Sequence, residues 1–115
     1  MTKEELYLKT IFCCIACDGN IATEEVDMVR DLCAKDRIFH NLDSEEYLNS
    51  WITEINEQGG AFLQTYLKEI NSVELNEQEQ LLLVSLAIKA IEADNSIEYA
   101  EVKFFKKIRS TLTIS

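Results

Sequence analysis

The chain of 115 residues has no proline, three glycines and a single histidine. The absence of proline removes the strongest helix breaker. The shortage of glycine removes most of the turn chemistry a strand-rich fold requires. No stretch alternates apolar and polar residues long enough to mark a strand. No apolar run approaches the length of a membrane span. The start, Met1-Thr2-Lys3-Glu4-Glu5, does not read as a secretory leader, because Lys9 and then Asp18 interrupt the apolar residues that follow. A cytoplasmic setting without direct membrane insertion is therefore expected. The sequence also lacks a P-loop, GxGxxG, GxSxG and HExxH, and no cysteine or serine motif accompanies His40. The expectation is a non-enzymatic protein. A hydrolase using metal and paired carboxylates is the least favoured reading, since no residue is placed as nucleophile or base.

Positive charge is scarce too. Eleven lysines and arginines stand against 21 aspartates and glutamates, a net charge of −10. Phosphate backbones and anionic lipid repel such a chain, which disfavours nucleic acid as a main partner. Five of the bases, Lys89, Lys103, Lys106, Lys107 and Arg109, fall near the C-terminus. They complement the C-terminal dipole of a last helix, or they form a docking face for an acidic partner.

What is present is ordinary globular apolar content, 47%, at the length of one domain, 1–115. Such a chain buries a core without disulfides or structural metal. Apolar spacing predicts an all-α bundle of about six helices. The first covers about 4–17, with Leu6, Leu8, Ile11, Phe12 and Ile15 inward, and ends at Asp18-Gly19-Asn20. Thr23, as cap, opens a second to about Ala34, with Val26, Val29, Leu32 and Cys33 inward. Asp43-Ser44-Glu45-Glu46 opens a third to about Glu57, burying Trp51, Ile52 and Ile55. Gln58-Gly59-Gly60 is a turn into a fourth, about 61–71. Asn76-Glu77-Gln78-Glu79 caps a fifth, about 77–93. Asp94-Asn95-Ser96 breaks it, and a sixth runs over about 98–111.

The chain repeats itself. Ile15-Ala16-Cys17-Asp18-Gly19-Asn20-Ile21 followed by Glu25-Val26 recurs 76 residues later as Ile91-Glu92-Ala93-Asp94-Asn95-Ser96-Ile97 followed by Glu101-Val102. Each copy, about 4–35 and 77–112, is a helix, a short acidic loop and a helix, suggesting an internal pseudo-two-fold repeat. Asp18-Gly19, five residues and Glu25 match the second half of an EF-hand loop. The first half fails: Cys14 and Ala16 occupy the first two ligand positions, and Ala90 and Glu92 do so in the second copy.

The twin D-G/N-x-I-x-x-x-E motifs resemble those of the tellurite-resistance TerB-like family, and the resemblance spans most of the chain. The second copy departs from the pattern in having Asn95 where the family has glycine, which the turn tolerates. The resemblance implies a helical domain of tellurite and chemical-stress resistance, with a protein partner that is often membrane-associated. It also implies an alternative, a co-chaperone-like adaptor. The family's acids have been proposed to bind metal. Carried over, the metal residues are Asp18, Glu25, Asp94 and Glu101, with Glu24 and Glu98 as additional candidates. Oxygen donors of this kind suit Ca²⁺, Mg²⁺ or Mn²⁺. The competing reading is that these acids only cap helices, which leaves a pure protein–protein module. Homo-oligomerisation stays open.

Cys13, Cys14, Cys17 and Cys33 read as buried reduced thiols. Cys14 and Cys17 lie within the first helix, and their repeat partners are Ala90 and Ala93, so the positions want small side chains. A zinc site with Cys33 and His40 is the weaker alternative. Trp51, Phe62, Tyr66, Phe104 and Phe105 read as core. One ring of the Phe104-Phe105 pair is expected to face outward at a partner surface. An adaptor should show an exposed apolar patch beside the basic last helix, whereas an enzyme should hold the acids in a deep pocket.

Overall fold

The first helix begins where Thr2 accepts a hydrogen bond from the Glu5 amide at 3.1 Å, with Glu4 and Glu5 in the positively polarised first turn. The computed structural model describes residues 1–93 and 96–113. Helix α1 covers Lys3–Ile15, α2 Thr23–Lys35, α3 Ser44–Gln58, α4 Gly60–Ser72, α5 Glu77–Glu92 and α6 Tyr99–Thr111; a single 3-10 turn, Arg37–Phe39, joins α2 to α3. No strand occurs among the described residues, so the all-α expectation holds. The Cα radius of gyration is 12.9 Å, close to the ~13 Å of a single folded body of this length. None of the described helices is long and apolar enough to cross a membrane.

Helix α1 lies at the centre, packed on α2, α4, α5 and α6. Every residue from Leu6 to Ala16 is buried. A helix surrounded in this way has no solvent face to spend on polar residues. Its two polar side chains in that span are therefore paired. Thr10 Oγ1 lies 2.7 Å from Tyr66 Oη and donates to the Leu6 carbonyl at 2.8 Å. Lys9 Nζ donates to Glu69 at 2.6 Å and stands 4.8 Å from the centre of the Phe62 ring. The aromatic core is continuous around it: Phe12 meets Trp51 at 5.7 Å and Phe62 at 5.8 Å, and Tyr66 meets Phe104 at 6.1 Å.

Local signals account for most of the helix boundaries. Asp43 accepts from the Glu46 amide, and Asn76 and Glu79 form a reciprocal capping box at 2.8 and 2.9 Å. Gly59, at φ +56°, closes α3 and leads directly into α4. Gly19, at φ +89°, turns the chain after α1, and a Cβ there would stand 3.2 Å from the Gly60 nitrogen. Glycine is thus required at position 19 both by conformation and by the close approach of the α3–α4 turn.

Two local expectations are corrected. Thr23 is the first residue of α2, and Ala22 takes the cap position. Ala22 has no accepting side chain; instead the Glu25 carboxylate accepts from the Ala22 amide at 2.8 Å. Half a capping box serves without a hydroxyl. Second, α1 ends at Ile15, so Cys17 lies in the turn beyond the helix, while Cys13 and Cys14 lie within it. All four cysteines are free thiols.

Candidate functional site

The two repeat motifs meet. Asp18 and Glu25 of the first copy and Glu98 and Glu101 of the second line one hollow of about 140 Å³, together with Cys17 and Met28. Helix α2 delivers Glu25 from its first turn, and α6 delivers Glu101 in the same way. Glu101 accepts from the Glu98 amide at 2.9 Å, matching the bond from Ala22 to Glu25. In each copy the glutamate reaches back three residues and is held by the start of its own helix. Asp18 is held within the loop, accepting from the Asn20 amide at 3.2 Å. The motif's glutamates thus fulfil the capping role at the helix starts, and Asp18 shapes the turn before one. Glu24 is exposed and stands outside the hollow. Asp94 lies outside the described residues.

The acids act on a common point. Burial first, then the charges of Glu101, Asp18 and Glu25, push the Cys17 thiol up to about 11. A thiol held protonated this way is a poor nucleophile and a poor metal ligand at neutral pH. Carboxylates facing a half-enclosed hollow favour a hard cation over an anion. As arranged, though, no three His, Cys, Asp or Glu side chains among the described residues form a metal-ligating group. That holds for Asp18, Glu25, Glu98 and Glu101, and equally for the cysteines with His40. His40 is exposed and shares a shallow hollow with Cys33, away from the acids. Burial and the charges of Asp36 and Glu45 raise Cys33 to about 12.

A second surface lies on the outer side of α5 and α6. Phe104 is buried and Phe105 only half-buried, so the doublet divides as its sequence implies. Phe105, Ile88, Ile91, Ile97 and Val102 line a shallow apolar hollow of about 200 Å³. Among the described residues the exposed large apolar side chains are Met1, Leu81, Ile88, Ile97, Tyr99 and Val102. All but Met1 belong to the α5–α6 hairpin, so the exposure is concentrated rather than scattered. Sequence reading missed Leu81, Ile88 and Tyr99 here. The signal was available in the strongly apolar middle of α5, which carries more apolar residues than one buried face can hold.

No family model matches the chain, and no curated protein or solved structure matches it significantly.

Proposed function

We propose that the chain is a non-enzymatic protein–protein adaptor module of the TerB-like type, docking through the outer face of the α5–α6 hairpin. The observation that supports this is the gathering of Leu81, Ile88, Ile97, Tyr99 and Val102 as exposed apolar residues on that hairpin, beside the basic run of α6. The reading is tested by affinity capture from the source cells with the full chain, Ile88→Glu, and a control, Ser50→Glu, on exposed α3 surface. A partner retained by wild type and control but lost by Ile88→Glu supports it. A partner retained by Ile88→Glu overturns it. The stress context comes from the resemblance, and deletion of the gene should then sensitise cells to tellurite.

A second reading is that the hollow between the motifs takes a divalent cation, Ca²⁺, Mg²⁺ or Mn²⁺. Its support is that Asp18, Glu25, Glu98 and Glu101 line one space. Thermal unfolding after chelation, repeated with each cation, separates the readings. A site at a hundredfold excess over its Kd adds about 2.7 kcal/mol, or about 10 °C in Tm. That rise should vanish in Asp18→Ala/Glu101→Gln. No shift with any cation leaves the acids as structural groups.

A further inference from the structure

The docking face has a shape and a charge, and together they specify an occupant. On α5, Leu81 and Ile88 lie two turns apart on one side. On α6, Tyr99, Val102, Lys106 and Arg109 follow spacings of three, four and three, which places them along one face. The bonds from Thr113 N–H to the Gln80 side chain and from the Gln80 amide group to Thr113 bring the end of α6 to the start of α5. The two helices therefore run antiparallel, with the apolar hollow between them. On α5 the hollow is lined by Ile88, Ile91 and Glu92, and the α6 face from Tyr99 to Arg109 beside it is about 15 Å long, close to three helical turns.

Its charge opposes that of the rest of the molecule. Helix α6 carries Lys103, Lys106, Lys107 and Arg109 against one acid, Glu101, which is buried on the inner side. The ion pairs formed among the described residues involve Lys3, Lys9 and Arg30, so neither Lys106 nor Arg109 is paired with a carboxylate among them. Glu92, at the loop end, is the one acid lining the groove. At physiological ionic strength charges act over about 8 Å. A ligand lying along this face of α6 therefore meets Lys106 and Arg109 at one end, with Glu92 and Glu98 at the loop end.

We infer that the α5–α6 groove binds an amphipathic partner helix of about three to four turns, its apolar stripe on Ile88, Val102 and Phe105 and an acidic flank against Lys106 and Arg109. This rests on the adaptor reading and adds the chemistry of the partner. Helix-in-groove recognition requires this combination of apolar anchors and flanking charge.

The test uses the full chain and two fluorescent designed helical peptides that share one leucine–phenylalanine stripe. One carries glutamates on its flanks, the other lysines. Anisotropy titrations at 0.15 M salt should show the glutamate peptide binding about tenfold tighter, as two exposed charge contacts supply. Lys106→Glu/Arg109→Glu should erase that preference, and Ile88→Glu/Val102→Glu should abolish binding of both peptides. These side chains are exposed, so circular dichroism should stay unchanged. A lysine peptide that binds as tightly or tighter, as the net charge of −10 dictates, overturns the acidic-helix inference. The docking face still stands in that case if Ile88→Glu/Val102→Glu abolishes binding. Failure of both peptides overturns the inference and withdraws support from the adaptor reading. A concentration-dependent dimer in sedimentation, dissolved by Val102→Glu, overturns it in favour of a second copy.

Discussion

Breaking the Lys9–Glu69 pair from its two ends should have unequal effects. The ammonium donates to Glu69 Oε1 at 2.6 Å, with 7% of the Lys9 side chain and 28% of the Glu69 side chain exposed. The lysine head also stands 4.8 Å from the Phe62 ring centre and 5.7 Å from that of Trp51. Glu69→Ala leaves a buried ammonium without its carboxylate. The cost is about 3 kcal/mol, the low end for breaking a buried pair, because water reaches the Glu69 side. That is roughly a hundredfold in the folding equilibrium. Lys9→Met removes the charge and keeps an unbranched apolar stem among the aromatic rings. It forfeits a cation–π contact of about 1 kcal/mol and lets Glu69 turn to solvent, so the net loss should stay within about 1 kcal/mol. The double variant Lys9→Met/Glu69→Ala should resemble Lys9→Met alone, giving a coupling of about 2–3 kcal/mol. Urea unfolding with an unchanged m-value measures all three. If Lys9→Met costs more than Glu69→Ala, the ammonium is stabilised by something other than this carboxylate and the reasoning fails.

Gly19→Ala combines a positive φ with a Cβ 3.2 Å from backbone and should destabilise by about 1–3 kcal/mol. Gly60→Ala meets nothing within 4 Å and should be neutral or slightly stabilising; thermal melts compare the two. Asn76→Ala removes the side-chain half of the capping box, the acceptor of the Glu79 amide, and should cost about 1 kcal/mol in denaturant unfolding. The thiols predict alkaline instability. Cys17 and Cys33 are raised from 9.0 to about 11 and about 12, and burial raises Cys13 and Cys14 as well. The unfolded chain releases these protons first, so stability is full below pH 9 and falls as pH rises through 11. Cys17→Ser should flatten that fall in a pH series of urea titrations. Alkylation of Cys17 at pH 8 should run about a hundredfold slower than that of an ordinary thiol, and Glu101→Gln should speed it.

The readable parts of the sequence were those whose partners lie within a few residues. Asn76 with Glu79, and Asp43 with the Glu46 amide, are three-residue relationships, and they fix the starts of α5 and α3. Gly59 marks its turn through its own φ. The interior of α1 was not readable in the same way. Leu6, Leu8, Ile11, Phe12 and Ile15 describe one apolar face, yet Tyr7, Lys9, Thr10 and Cys13 are buried as well. Their burial depends on helices packed around α1 from far along the chain: Tyr66 is 56 residues from Thr10, and Glu69 is 60 from Lys9. Lys9, which breaks the apolar run in sequence, is inside the protein for that reason. At the candidate site, the register of the two motifs pointed to Asp18, Glu25, Asp94 and Glu101; the first two and Glu101 line the hollow with Glu98, which was an additional candidate, and Asp94 lies outside the described residues. The cap at Ala22 was hidden because alanine offers no side-chain signal, and its amide donates to a glutamate three residues on.

Both candidate surfaces converge on α6, and the chain distributes them by helical phase. Glu101 and Val102 are neighbours in sequence but about 100° apart around the helix axis. Glu101 turns inward to the acidic hollow, and Val102 turns outward to the apolar groove. Substitutions at these adjacent positions therefore test the two candidate surfaces separately. Val102→Glu should remove peptide binding and leave the Cys17 alkylation rate alone. Glu101→Gln should change the environment of Cys17 and leave the groove's apolar lining intact. A Val102→Glu variant with altered Cys17 reactivity would mean that α6 moves as a unit, so that occupancy of the groove is felt in the hollow. By reciprocity, a cation bound in the hollow would then have to shift peptide affinity by the same factor that the peptide shifts its own.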